Sequence, residues 1–345
     1  MSFLYYLKTM SVGNFVENIK TMKRKFFINE KMLQQKVIKC VLPIVAQFLI
    51  LQSVHAQGVS VIGLDSLKGF SQSIYFSPGN ENRAKEIAVL MDNAAAYFQQ
   101  ELEFTPKVKL YILEPRHWKE YASFPVYGMP HNIDQVRLAI AAADNPFWQS
   151  FLPPIHQLPV AMVERINKAY RKADGTYSMQ PFFDLLALHE MGHSYHAQAG
   201  LKMQRKWMQE LFVNIMLHTY VAEKQPQFLP ALETFPEMVV GAGSAEYKFT
   251  SLAHFEDYYD DARKGMTAKN YGWYQCNLHH AAKNIYNAGG KTVIQKLWNA
   301  LKIHQEEMSN EAFVAMLQKE VHPSVGDVFL KWDENKADQA TENSL

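Results

Sequence analysis

The sequence predicts an α+β protein in which a small sheet precedes a mainly helical region. Between residues 58 and 153, short segments alternate apolar and polar positions as strands do, and one longer segment repeats apolar residues at helical spacing. After Pro154 almost every apolar pattern has the helical period. Strands followed by helices are typical of α+β proteins. We therefore expect a sheet-containing lobe over residues 57–153, a helical lobe over residues 154–345, and a functional site in the cleft between them.

Length and composition limit the classes of function. With 345 residues, of which 48% are hydrophobic and 20% charged, the chain can bury a large core. Its 35 Lys and Arg nearly balance its 34 Asp and Glu, which argues against a nucleic-acid partner. The two cysteines, Cys40 and Cys276, are too few for a disulfide scaffold or a cysteine-rich zinc module.

The first predicted element is a leader over residues 1–56. An apolar run at residues 41–51 follows two lysines and precedes small residues that end at Ala56. This order is that of a secretory signal peptide, so we expect cleavage after Ala56 and a periplasmic or extracellular mature chain that begins at Gln57. A peptide of ordinary length would begin at Met32 rather than at the first residue.

The alternative for the leader is a retained membrane anchor. The apolar run has 11 residues, fewer than the roughly 20 that cross a bilayer. The chain that remains after cleavage has a small net negative charge, which disfavours binding to anionic lipid surfaces. We therefore expect no stable membrane association after cleavage.

The N-terminal lobe is predicted to hold three strands and one helix. Residues 73–76 form an apolar strand that a Ser-Pro-Gly-Asn turn closes. Apolar residues then recur at helical spacing from Ile87 to Phe98, and residues 108–112 and 135–141 alternate as strands do. In the second lobe the helical period predicts five helices, over residues 181–198, 205–223, 272–287, 291–303 and 310–319.

The first of these five helices contains the motif His189-Glu190-Met191-Gly192-His193. Residues i and i+4 lie on one helix face, so the imidazoles of His189 and His193 can bind one ion. Glu190 is turned by about 100° from His189, and from there a carboxylate reaches a water at such an ion. The motif predicts one catalytic Zn²⁺ per chain with Glu190 as general base. The alternative is a pair of hydrogen-bonded core histidines.

A catalytic zinc needs a third protein ligand and an open fourth position. His196 lies about 10 Å along a straight helix from His189, so we expect it to line the cleft or to support a ligand. Glu210 is the better candidate, because an unpaired charge in its otherwise apolar helical segment would be costly to bury. The next candidates are Glu223, Glu233 and Glu237.

These residues resemble the motif of the gluzincin metallopeptidases, and of their M1 aminopeptidase branch in particular. That branch carries His-Glu-x-x-His, a slightly longer spacer and a Trp-x-x-Glu-x-Phe-type segment, whereas 16 residues separate His193 from Glu210 within Trp207–Phe212. The resemblance covers residues 180–300. It implies a thermolysin-like catalytic fold and peptide hydrolysis, with zinc bound by the two motif histidines and Glu210.

The same resemblance implies a tyrosine that donates to the oxyanion from the start of a later helix. Counting back from the glycines that end this helix indicates Tyr274, with Tyr271 as the alternative and a core aromatic role open for both. The chain lacks the Gly-x-Met-Glu-Asn segment of M1 aminopeptidases and the room for their large β domain. Aminopeptidase specificity is therefore not implied, and endo- and exopeptidase activity both stay open.

These interpretations together predict an exported zinc metallopeptidase acting on a peptide or protein substrate. Glu190 would move the proton from water to the leaving amine, and Tyr274, or alternatively His279 or His280, would donate to the oxyanion. Asn214 would orient a metal ligand.

The strand at 136–141 would pair with an extended peptide if it lies at a sheet edge. The rival functions are an exported peptide-binding protein that retains zinc without catalysis and a zinc hydrolase of a non-peptide amide or ester.

Overall fold

The computed structural model describes residues 61–259 and 266–332, so the predicted leader and its cleavage site lie outside the described residues. A five-stranded sheet occupies the first part of the described chain. Its strands are β1 (Asp65–Leu67), β2 (Ser73–Phe76), β3 (Lys109–Leu113), β4 (His131–Asn132) and β5 (Arg137–Ala141). They are arranged in the order β1-β2-β3-β5-β4. The three central strands run parallel, whereas β1 and β4 pair antiparallel at the two edges.

The strand predicted near Val136–Ala141 is not at an edge of this sheet. It forms β5, which pairs with β3 on one side and with β4 on the other. The chain turns back after Asn132, where the N–H of Ile133 donates to the carbonyl of Arg137 over 2.7 Å. The condition for peptide pairing at this strand is therefore not met. The outer strand β4 was not predicted, because a two-residue strand carries no periodic signal in the sequence.

Helices form most of the rest of the described residues; two of them lie between strands of the sheet, and the others follow the sheet in the chain, as predicted. The twelve α-helices described are α1 (Glu81–Leu102), α2 (Pro115–Tyr121), α3 (Pro146–Gln149), α4 (Val160–Tyr170), α5 (Gln180–Gln198), α6 (Lys206–Lys224), α7 (Leu229–Gly241), α8 (Leu252–Tyr258), α9 (Ala268–Gly289), α10 (Thr292–Ile303), α11 (Asn310–Met316) and α12 (Pro323–Leu330). None of the helices in residues 61–259 and 266–332 is both long enough and apolar enough to cross a membrane.

The five helices predicted from periodicity are confirmed, with differences at their ends. The segments predicted over 181–198 and 205–223 are α5 and α6. α9 begins four residues before its predicted start, because the side chain of Thr267 accepts the N–H of Asn270 and caps the helix there. The last segment is α-helical only to Met316 and continues as a π-helical turn.

α5 lies between the sheet and the other long helices. It contacts β4 and β5 on one side and packs against α1 and α6, and α6 in turn packs against α9. Arg83 on α1 donates to Asp184 on α5 over 2.6 Å, and both side chains are largely buried. This ion pair and the sheet contacts hold the helix that carries the His-Glu-x-x-His motif.

Gly192 within the motif lets α5 and α6 approach closely. A Cβ atom at Gly192 would lie 2.9 Å from Cβ of Val213 on α6, closer than such atoms normally come. The missing side chain therefore brings the motif helix onto the helix that carries Glu210.

Candidate metal centre

Three side chains from two helices converge where α5 meets α6. His189 and His193 lie one turn apart on α5, with ring centroids separated by 5.0 Å. Glu210 on α6 is completely buried, and its Oε2 lies 3.2 Å from Nε2 of His189 and 3.6 Å from Nε2 of His193. In the part of the chain that the structure describes, this is the one group of His, Cys, Asp or Glu with three potential ligand atoms so close together.

The spacing of these atoms suits a zinc ion. Two ligands of a tetrahedral zinc with bonds of about 2.0–2.1 Å are separated by roughly 3.3 Å. The distances from Glu210 to the nitrogens of His189 and His193 lie close to that value. Two imidazoles and a carboxylate are also a donor set that catalytic zinc sites use. The residues present therefore fit a zinc ion with three protein ligands.

The electrostatics of the cluster favour a cation between the three side chains. Burial would lower the pKa of His193, but the charges of Glu210 and Glu190 outweigh it and raise that pKa. Burial would raise the pKa of Glu210, but His193 and His189 hold it well below its ordinary value. A buried carboxylate beside two imidazoles thus attracts positive charge, which a metal ion can supply.

Each imidazole has a hydrogen-bond partner on its other nitrogen. Nδ1 of His189 lies 2.8 Å from Oδ1 of Asn214, and Nδ1 of His193 lies 3.1 Å from Nε2 of His196. Burial, followed by the neighbouring His193, lowers the pKa of His196 to about 3, so its ring is a neutral acceptor near pH 7. With hydrogens on both Nδ1 atoms, both Nε2 lone pairs would be available to a metal ion beside Glu210. Asn214 and His196 thus lie where the sequence interpretation expected supporting residues.

Glu210 also has hydrogen-bond donors that the sequence interpretation missed. Nε2 of Gln275 donates to its Oε2 over 2.8 Å, and the hydroxyl of Tyr259 donates to its Oε1. Gln275 follows Tyr271 by one turn of α9, so an i, i+4 polar face of that helix was the available signal. Tyr259 directly follows the short α8, and no pattern in the sequence singles it out.

The structure does not bring Tyr274 into this cluster, in contrast to the sequence interpretation. Its side chain is completely buried, its hydroxyl donates to the carbonyl of Ser251 over 2.8 Å, and its ring stacks on Trp332. Tyr271 and Gln275 share the α9 face that meets Glu210, and Tyr274 is turned away from that face by the helical rotation of about 100° per residue. The core aromatic role applies to Tyr274.

Tyr271, the alternative, lies beside the cluster. Its hydroxyl is 2.7 Å from Nε2 of Gln275, the atom that also contacts Glu210. Burial, followed by the charges of Glu210 and Glu190, raises the pKa of Tyr271 well above its ordinary value. Burial, followed by the charge of Glu210, also raises the pKa of Tyr259. Both phenols therefore keep their protons at neutral pH and can act as donors.

Of the other residues that the sequence suggested for the site, His279 lies beside the cluster, whereas His280 and the alternative carboxylate ligands interact with other residues. His279 stacks on His189 with ring centroids 5.9 Å apart, and burial holds its pKa well below the ordinary value. His280 does not share this position, because it lies among charged groups that include Lys283. The three alternative candidates for the third ligand have other partners. Glu233 and Glu237 form ion pairs with Lys283, and Glu223 accepts a hydrogen bond from the hydroxyl of Tyr286.

Glu190 lies beside the outer strand of the sheet. It is 9% exposed, and its backbone carbonyl accepts from Nδ2 of Asn132 over 3.2 Å. The same Nδ2 lies 3.1 Å from Oγ of Ser194, so Asn132 joins β4 to α5. Ile133 is hydrogen-bonded to β5, and antiparallel pairs alternate, so the backbone N–H and C=O of Asn132 point away from β5.

Comparisons of this chain with protein-family models, curated proteins and solved structures give no match. The interpretation of the site therefore depends on its residues and their geometry.

Proposed function

We propose that the protein is an exported zinc-dependent metallopeptidase. The observation that carries the proposal is the convergence of His189, His193 and Glu210 beside Glu190, the residue that follows the first ligand in the motif. Coordination would explain why a carboxylate is completely buried in the apolar interior of α6. One Zn²⁺ would be held by the two Nε2 atoms and one carboxylate oxygen.

The proposed chemistry divides between the metal and Glu190. When bound, Zn²⁺ lowers the pKa of water and polarises the scissile carbonyl. Glu190 accepts the proton of the attacking water and returns it to the leaving amine. Its low exposure and its place directly after His189 in the motif suit this role.

Donation to the oxyanion is proposed for a tyrosine on the Glu210 side of the cluster, not for Tyr274. Tyr259 and Tyr271 both interact electrostatically with Glu190 and Glu210, and both keep their protons at neutral pH. A neutral phenol positioned in this way can stabilise the negative charge that develops on the carbonyl oxygen. His279 beside His189 is the third candidate donor.

The outer strand of the sheet supports a peptide as the proposed substrate. The backbone N–H and C=O of Asn132, which point away from β5, could pair with an extended chain, which would then lie along the edge of the sheet nearest Glu190. Peptides present such a ladder of backbone groups, and simple esters do not. This observation favours a peptide or protein substrate over a non-peptide amide or ester.

The proposal includes a gluzincin-like catalytic fold and export. Two features support the proposed fold. The antiparallel outer strand β4 packs on α5, which carries the motif, and the carboxylate of Glu210 comes from the next helix, α6. Cleavage near Ala56 and Gln57 would deliver the mature chain outside the cytoplasm. N-terminal sequencing of protein from the envelope or medium tests this, and an intact chain beginning at Met1 or Met32 in the cytoplasm would contradict it.

The decisive experiment measures zinc content and hydrolysis on the same samples. Purified protein is loaded with one equivalent of Zn²⁺ and incubated with a peptide library and, in parallel, with a panel of esters and non-peptide amides. We expect peptide cleavage that stops when a chelator removes the zinc. Zinc binding with hydrolysis of esters or amides alone would indicate the non-peptide hydrolase, and zinc binding with no hydrolysis would indicate a binding protein.

A further inference from the structure

Two side-chain amides connect His189 to Glu210 outside the group of proposed ligands. Oδ1 of Asn214 lies 2.8 Å from Nδ1 of His189. Nδ2 of Asn214 donates to Oε1 of Gln275 over 3.4 Å, and Nε2 of Gln275 donates to Oε2 of Glu210 over 2.8 Å. The four side chains come from three helices, α5, α6 and α9.

The carboxylate of Glu210 determines which group donates and which accepts in each of these hydrogen bonds. A metal-binding carboxylate only accepts, so Gln275 must turn its amino group toward Glu210 and its carbonyl oxygen toward Asn214. Asn214 must then turn its own amino group toward Gln275 and its carbonyl oxygen toward His189. An oxygen that only accepts faces Nδ1 of His189, which must therefore carry the hydrogen.

We propose that Gln275 is a positioning residue that sets the tautomer of His189 through Asn214. The inference rests on the proposed function in one respect, the assignment of Glu210 as a metal ligand. A hydrogen on Nδ1 frees the lone pair of Nε2 for a metal ion held between His189 and Glu210, whose Oε2 lies 3.2 Å from that nitrogen. The negative charge of Glu210 thus determines, through Gln275 and Asn214, which nitrogen of His189 can bind the metal.

The second hydrogen of the Gln275 amino group has its own acceptor. Nε2 of Gln275 lies 2.7 Å from the hydroxyl oxygen of Tyr271, one turn earlier on α9. Both N–H groups of the amide are therefore engaged, which opposes rotation of the amide by 180°. Because the Tyr271 oxygen accepts from Gln275, its own hydrogen is directed elsewhere.

The test measures the His189 tautomer and the zinc affinity separately. The full chain is labelled with ¹⁵N in histidine, and long-range ¹H–¹⁵N spectra of the metal-free protein are recorded above the pH range in which histidine titrates. The signal is assigned by its loss in His189→Gln. Zinc affinity is measured by competition with a chelator, for the wild type, Gln275→Met and the control Asn277→Ala, whose amide in the wild type donates to the carbonyl of Trp273 on its own helix.

We expect wild-type His189 to carry its hydrogen on Nδ1 and Gln275→Met to lose this preference. Zinc affinity should fall roughly 10- to 100-fold in Gln275→Met and stay unchanged in Asn277→Ala. A variant that weakens zinc binding but leaves the His189 tautomer unchanged would show that Gln275 acts on Glu210 alone, and the proposal would be wrong.

Wild-type His189 with its hydrogen on Nε2 would also overturn the proposal, whether or not the variant folds. Failure of the proposed function is recognised independently. Wild-type protein that binds no zinc or hydrolyses nothing contradicts that function, and the tautomer is measured without metal.

Discussion

Oε2 of Glu210 lies 3.2 Å from Nε2 of His189, although the two residues belong to different helices. The contact depends on three features of the packing: the turn between α5 and α6, the close approach at Gly192, and the donors that hold the carboxylate from α9 and the end of α8. Coordination of a metal is the chemistry that this arrangement suits best, and its consequences can be tested one residue at a time.

The first prediction concerns the ligands. His189→Ala and His193→Ala should abolish zinc binding, and Glu210→Gln should weaken it by at least about 100-fold, more than replacement of a supporting residue does. Zinc content by elemental analysis and affinity by chelator competition check this. His156→Ala, at an exposed position, is the control. Wild-type affinity in Glu210→Gln would mean that the third ligand is another residue.

The second prediction separates binding from chemistry at Glu190. Glu190→Gln should keep one zinc per chain, because no metal bond is removed, while peptide hydrolysis falls by at least about two orders of magnitude. Glu164→Gln, an exposed change on α4, should alter neither quantity. Hydrolysis at the wild-type rate in Glu190→Gln would refute the proposed mechanism.

The third prediction compares three tyrosines. At least one of Tyr259→Phe and Tyr271→Phe should lower kcat by about 100-fold or more with zinc retained, because a donor to the oxyanion is removed. Tyr274→Phe should leave kcat unchanged and lower the free energy of unfolding by about 1 kcal/mol, because it removes the hydrogen bond to the carbonyl of Ser251. Steady-state kinetics and urea denaturation measure both effects. A large loss of kcat in Tyr274→Phe alone would restore the sequence interpretation.

The fourth prediction concerns the close approach of α5 and α6. Gly192→Ala places a methyl group against Val213 and should lower the free energy of unfolding by about 1–3 kcal/mol while weakening zinc binding. Gly272→Ala is the matched control, because it lies inside α9 with open space around it. There the better helix propensity of alanine should raise the free energy of unfolding by about 0.5–1 kcal/mol. Equal stability of the two variants would contradict the close approach.

The fifth prediction concerns pH and His218. Burial, followed by the charge of Lys283, lowers the pKa of His218 to about 4. An unfolded histidine titrates near 6.5, so between about pH 6.5 and pH 4 the unfolded chain binds a proton that folded His218 does not. The free energy of unfolding should therefore fall with decreasing pH in this range, with a contribution from His218 of at most about 1.4 kcal/mol per pH unit.

His218→Gln should make this acid dependence shallower, whereas the exposed change His156→Gln should not. Urea denaturation at a series of pH values gives the slopes. An identical slope in wild type and His218→Gln would show that His218 does not contribute.

The local features of the site could be predicted from the sequence. The i, i+4 spacing of His189 and His193 defines a helix face, and a carboxylate in an apolar segment singles out Glu210. Asn214 follows Glu210 by one turn, and it lies against His189 in the structure. These predictions succeed because each depends on the helical period or on the cost of burying a charge.

The features that join separate segments could not be predicted in this way. Tyr259 and Gln275 reach Glu210 from α8 and α9, and their sequence neighbours Tyr258 and Tyr274 are chemically as suitable. The choice among them depends on the rotation of each helix about its axis, which distant core contacts such as that of Tyr274 with Trp332 determine.

The sequence by itself determined six of the twelve described helices, the motif and the chemical class of the ligands, because these follow from periodicity and residue type within one segment. Only the tertiary structure decided that β4 is the outer strand, that Tyr274 belongs to the core and that two amides connect His189 with Glu210. The physical reason is that these three features depend on packing between segments far apart in the chain, where a rotation of one helix by a single residue changes which side chain faces the site.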